Sequence, residues 1–195
     1  DLKHIVDKMP DDEIRNILKK YTGVRKNRRH KPGRAFENSY YTFDILSDYG
    51  SFRDLQRHRL MTIEWQKMNP ELGFNFPDEV KKTPYENECK ELITKSKELY
   101  EKLEASFPHL KEYSLLFGHN IRYSMTMNVR QAFHLIELRT AKQGHISYRK
   151  VCMKMHDQIK DIAGHSNFYE LMNFTDHEEY ELSLIHISEP TRRRT

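Results

Sequence analysis

The chain has 195 residues, 37% of them hydrophobic and 32% charged, and a formal net charge of +4, the size and composition of one soluble domain with a real core. No run approaches the ~20 apolar residues that span a bilayer and no charged-then-apolar leader is seen, so no membrane partner is expected and the cytoplasm is the expected compartment. Cys89 and Cys152 stand far apart outside any CxxC pattern, which argues against a disulfide framework or a cysteine-rich zinc site, and no metal is expected.

In chain order, Asp11-Asp12-Glu13 followed by Ile14, Ile17, Leu18 and Tyr21 predicts a helix, with acidic groups in its first turn and Gly23 at its end. The basic stretch RKNRRHKPGR, Arg25 to Arg34, follows as a loop. Two readings of it stand: a segment that meets phosphates or a polynucleotide, or a solvated loop held open by Pro32-Gly33. It has no interleaved aromatic residues, which counts against single-strand binding.

Tyr41, Phe43 and Ile45 alternate with Thr42, Asp44 and Leu46 and predict a strand broken by Gly50. Phe52 to Arg59 has helical character. Leu60 to Trp65 reads as a second short strand, with Trp65 a core or interface aromatic. Pro70, Gly73, Pro77 and Pro84 mark an irregular connection. Tyr85 to Phe107 is a long charged helix with Leu92, Leu99 and Leu103 on one side. His119 to Met127 reads as a strand, Asn128 to Ala141 as a helix, and Ser147 to Ile162 as another, stopped by Gly164. This order predicts an α+β fold, a mixed domain whose sheet is flanked by long helices.

Two segments concentrate cations among hydrogen-bonding groups: Phe52-Arg53-Asp54-Leu55-Gln56-Arg57-His58-Arg59, and the stretch from Asn128 through Arg130 and His134 to Arg139. The planar fork of arginine binds phosphate oxygens bidentately and stays charged. Histidine can donate to the same groups. On a helix, Asn128 and Arg139 share a bearing to within about 20°, while Arg130 and His134 lie about 40° apart on the opposite flank. The competing reading pairs these arginines with Glu137, Asp54 or other acids on a solvated surface.

Together the motifs resemble the flavin-dependent thymidylate synthases, or thymidylate synthase complementing proteins. That family's hallmark is an RHR tripeptide followed much later by N-x-R-x-x-x-H/N-x-x-x-x-R. Arg57-His58-Arg59 and Asn128, Arg130, His134 and Arg139 match, and Phe36-Glu37-Asn38 resembles the family's FEH element with asparagine replacing histidine. The likeness runs from Asp11 to Ile162. NRRHKPGRAFE followed by FRDLQRHR looks like the C-terminal half of longer members that carry two such domains in tandem.

The resemblance implies an α+β domain assembling as a homotetramer, with active sites at subunit interfaces. The implied reaction converts dUMP to dTMP using methylenetetrahydrofolate as co-substrate, FAD as cofactor and NADPH as reductant. Arg57, His58, Arg59, Asn128, Arg130, His134 and Asn38 would hold FAD. Arg53, Asp54 and Arg139 would face the pyrimidine nucleotide, with Arg139 also the candidate catalytic group. The protein's task would be binding, orientation and charge stabilisation around a cofactor that performs the chemistry.

The sequence departs from the family after Arg59. Where RHRxxSxNExSxR is usual, Glu64-Trp65 replaces the N-E pair, Lys67 the second serine and Asn69 the second arginine. The replaced serine and arginine help bind the dUMP phosphate in the family. Three readings follow: an active synthase domain, a catalytically degenerate tandem half that supports flavin binding or assembly, and, distantly, a basic nucleic-acid-binding module.

The chain opens at Asp1 rather than methionine and reads as truncated, with one domain expected over 1–181. Leu182 to Arg192, LSLIHISEPTR, resembles the translation of a transposase sequencing adapter, so 182–195 is expected to carry no structure. Three arginines and one glutamate leave the charge count with it, weakening the nucleic-acid reading.

Overall fold

The computed structural model describes residues 2–81 and 83–180; the segment expected to be foreign, 182–195, lies outside them. The elements run α1 (Leu2–Val6), α2 (Asp11–Thr22), β1 (Tyr40–Asp48), α3 (Tyr49–Leu55), β2 (Met61–Trp65), α4 (Asp78–Lys81), α5 (Glu86–Ser106), β3 (Asn120–Asn128), α6 (Val129–Arg139), α7 (Ile146–Asp161) and α8 (Ser166–Leu171). Short 3-10 turns at Arg34–Asn38, Pro70–Leu72 and Lys111–Ser114 connect them. The α+β class is as expected.

The sheet has the order β1-β3-β2, with both pairs antiparallel. Because side chains alternate along a strand, the register Tyr41↔Met127, Phe43↔Met125 and Ile45↔Tyr123 puts one apolar set on one face. That face meets Leu55, Phe133, Ile136, Met155 and Ile159 from α3, α6 and α7 in one buried cluster. The opposite face carries Thr42 and Thr126, whose hydroxyls bond at 2.9 Å, and the exposed Asp44–Arg122 pair at 2.6 Å.

Several boundaries differ from the sequence reading for identifiable reasons. Gly50 does not break β1: the strand continues to Asp48, whose side chain accepts from Ser51 N at 2.8 Å and from Ser51 Oγ at 2.8 Å. That N-cap starts α3 at once, with Gly50 inside it. The N–H groups of Tyr49 and Gly50, without partners inside the helix, donate to His119 O and Phe117 O. At its other end α3 stops at Leu55, so Arg57-His58-Arg59 lies on the link to β2 rather than on a helix.

The charged helix α5 forms over nearly the expected span, but its leucine side is not its inward side. Leu92 and Leu99 are 53% and 47% exposed. The helix is held by Ser96, whose hydroxyl donates to Ser114 O at 2.6 Å, and by Tyr100, whose hydroxyl donates to Met68 O. Trp65 is likewise no core residue: it ends the edge strand β2 at 58% exposure, touching Phe52.

Beyond α8 an irregular stretch returns along α7. Arg149, almost wholly buried, fastens it by donating to Thr140 O and to Glu178 O, both at 2.8 Å. Asp176 lies 3.6 Å from the same guanidinium, and the Tyr180 ring packs against it.

Candidate functional site

The end of α6 and the link after α3 meet at Arg139. Its Nε donates to His58 Nε2 at 2.9 Å, one terminal nitrogen donates to Asp54 O at 2.6 Å, and another lies 3.9 Å from the Asp54 carboxylate. Its guanidinium sits over the Tyr148 ring of α7. His58 must accept at Nε2 and is therefore neutral there. Burial, then the charge of Arg139, then His134, push its pKa down to about 4.

His134, one turn and a fraction earlier on α6, presents its ring edge-on to that of His58 at 5.9 Å. Its pKa is also lowered, by burial first and then by Lys31, Arg28 and Arg139. The basic loop therefore returns part of its charge to this face. Two imidazoles and at least three cations gather here, with Asp54 the acid in contact with Arg139.

The same link exposes Arg57 and Arg59 to solvent. Arg57 lies 4.0 Å from Asp54, a loose surface pair. Arg53 lays its guanidinium over Phe117 at 4.8 Å. Arg53, Asp54 and Arg57 line an open cleft of about 1370 Å³, whose other walls include Asn75, Tyr148 and Lys154.

The remaining expected ligands have internal partners. Asn128 is the N-cap of α6, accepting from Gln131 N at 2.8 Å. It shares a bearing with Arg139, yet the two stand at opposite ends of the helix, about 16 Å apart along its axis at 1.5 Å per residue. Arg130 donates to Pro32 O at 2.8 Å and to Glu37 at 3.1 Å, while Asn38 donates back to Ala35 O within its own turn. Arg130 thus pins the basic loop and the 34–38 turn to α6.

Not all of the basic loop is solvated. Arg25 is buried in a bidentate pair with Glu137, the two side chains 2% and 0% exposed. The pattern carried a signal for this pair: Glu137 falls one turn after Phe133 on the apolar stripe of α6, where a carboxylate needs a buried cation. Nothing in the sequence named Arg25 as that cation. Of the two thiols, Cys152 is fully buried, which pushes its pKa up to about 12 and leaves no thiolate for chemistry.

Residues 3–165 match the family model described as thymidylate synthase complementing protein. The chain belongs to that family. Among its relatives, a UPF0159 protein of Chlamydia muridarum is 35% identical over 194 residues, covering 100% of this chain and 36% of the relative. A UPF0159 protein of Chlamydia pneumoniae is 35% identical over 183 residues, covering 93% of this chain and 34% of the relative. One of Thermoplasma acidophilum, Ta1429, is 31% identical over 172 residues, covering 87% and 34%. The chain spans about a third of the length of the relatives it matches. Every residue of the Arg139 cluster falls inside the stretch that matches the family.

Among the described residues no helix is long and apolar enough to cross a membrane.

Proposed function

We propose that this chain is a flavin-supporting half of a thymidylate synthase complementing protein, contributing cationic contacts to a bound FAD while the dUMP phosphate is held elsewhere in the whole protein or its homo-oligomer. The carrying observation is the Arg139 cluster. His58 and His134 are held neutral beside Arg139, Arg28 and Lys31, with Arg57 and Arg59 exposed at the rim. Burial first, and the surrounding cations second, disfavour protonation of both imidazoles; cations gathered this closely favour an anion among them, and a dinucleotide pyrophosphate suits arginine forks.

When bound, FAD reduced by NADPH would supply the hydride that reduces the methylene taken from methylenetetrahydrofolate to the methyl group of dTMP. Toward that group the chain's own residues bind and orient. Arg57 and Arg59 reach outward for phosphate oxygens, and Arg139 fixes the His58 ring so that its other nitrogen can donate. Arg130 acts by holding the loop that carries Arg28 and Lys31.

The tandem-half reading is favoured over an active synthase domain by what replaces the dUMP contacts. Asn69 spends its side chain capping a 3-10 turn, accepting from Glu71 N at 2.9 Å, and Lys67 is exposed. A nucleic-acid module is disfavoured because part of the basic loop is paired within the fold, Arg25 with Glu137 and Arg34 with Glu37.

Fluorescence titration of FAD against this chain and, in parallel, the full-length protein tests the reading. Arg57→Ala and Arg59→Ala are each expected to weaken FAD by about 1.5–3 kcal/mol, the range for hydrogen bonds to charged groups, with lysine recovering part. Calorimetric titration of dUMP against this chain alone is expected to show no micromolar binding. Equal FAD affinity in wild type and both alanine variants would show the site assignment to be wrong.

A further inference from the structure

A second constellation lies away from the Arg139 cluster, where the stretch after α8 folds back on α7. His156, on α7, is buried at 4% exposure, and its Nε2 sits 3.0 Å from Tyr169 O. A carbonyl oxygen can only accept, so Nε2 carries the proton and Nδ1 keeps its lone pair. That Nδ1 points at His177 Nε2, 2.8 Å away. Asp157, the next residue on α7, has its carboxylate 3.9 Å from the same His177 nitrogen.

We infer that His156 Nδ1, His177 Nε2 and the Asp157 carboxylate form a binding site for a borderline divalent cation of the zinc class, which staples the 172–180 stretch to α7. The three ligand atoms already lie within 4.8 Å of one another. Two Zn–N bonds of about 2.0–2.1 Å at a tetrahedral angle separate the nitrogens by roughly 3.4 Å. The rings therefore need to part by about half an ångström, and His177 sits on irregular chain that can give it. Adjacent helical residues point about 100° apart, so His156 and Asp157 cannot close on an ion alone; His177 arrives between them.

The support behind the site is of the kind metal ligands require. A ligating histidine commonly donates its other N–H to a backbone carbonyl, fixing tautomer and ring orientation, and His156 does so to Tyr169 O. The Tyr169 ring stacks on it at 3.9 Å and 15°. Two imidazoles and one carboxylate suit zinc rather than magnesium or calcium, which prefer oxygen ligands throughout. Asp157 and His177 are 48% and 37% exposed, leaving an entry path and room for a water as fourth ligand.

His177 falls beyond the residues that match the family model, so the site is independent of the flavin reading. The spacing His156-Asp157 to His177 fits no short metal motif, so sequence reading passed over it.

The test titrates zinc sulfate into the chelator-treated chain, freed of any affinity tag, by calorimetry and competition with a chromogenic chelator. One zinc per chain is expected, with a raised melting temperature and slower proteolysis between 172 and 180. His177→Ala and Asp157→Asn, at one exposed and one half-buried position outside the hydrophobic core, are each expected to weaken zinc by about tenfold or more while far-UV circular dichroism stays unchanged. Absence of stoichiometric binding, or affinity unchanged in either variant, overturns the inference.

Discussion

Replacing Arg25 by methionine isolates the energetics of the buried pair that anchors the basic loop. The Arg25 guanidinium donates to both oxygens of Glu137, one bond at 2.7 Å, and to His30 O and Leu171 O, and it lies between the rings of Phe133 and Phe174. Methionine keeps most of the apolar stem and leaves Glu137 as an uncompensated charge that is 0% exposed. Removing one partner of such a pair costs about 3–5 kcal/mol. That is a large part of the roughly 5–15 kcal/mol that holds a domain folded, and corresponds to a fall in Tm of about 6–20 °C at this length. The double variant Arg25→Met/Glu137→Leu removes both desolvation costs and is expected to recover most of the loss. Urea unfolding followed by far-UV circular dichroism, with m-values compared, measures the cycle. A single-variant cost under ~1 kcal/mol, as for a surface pair, or a double variant no better than the sum of the two singles, would refute the reasoning.

Stability is expected to fall as pH drops from about 6.5 to about 4, because the unfolded chain takes up protons in that window that folded His58 and His156, each with its pKa lowered to about 4, refuse. Discounted for their partial exposure, each contributes on the order of 1–2 kcal/mol; denaturation midpoints across this range check it, and His58→Gln should flatten the slope, whereas an unchanged slope would contradict the assignment. Gly33→Ala is expected to destabilise by about 1–3 kcal/mol through overpacking, since a Cβ there would fall 2.3 Å from the Tyr21 ring, which accepts from Ala35 N through its hydroxyl at 2.7 Å. Thermal melting reads the loss, and adding Tyr21→Ala should cancel most of the increment from Gly33→Ala; a neutral Gly33→Ala would count against this packing.

Period and punctuation in the sequence determined the α+β class, the order of the principal elements and most of their spans. Alternation of apolar residues at Tyr41, Phe43 and Ile45 is a local property, and it survived because β3 presents the complementary alternation at Met127, Met125 and Tyr123. The motif pair was also legible, because hydrogen-bonding side chains at fixed spacing are written in the chain itself, and it led to the family that the 3–165 match shows.

Tertiary structure decided where those side chains point. Arg25 and Arg130 look alike among the chain's cations, yet Arg25 is sealed against Glu137 and Arg130 pins a turn. A guanidinium is placed by whichever carboxylate or carbonyl folding brings to it, and Glu137 stands 112 residues away. Leu92 and Leu99 share one side of α5 yet are exposed, and the helix is held instead by Ser96 and Tyr100 through backbone acceptors. His177 meets His156 where Arg149, donating to Glu178 O, and Thr140, accepting from Asp176 N, hold the returning stretch. Contacts made across the fold have no period to betray them, and for that reason local pattern determined the elements while long-range partners decided the sites.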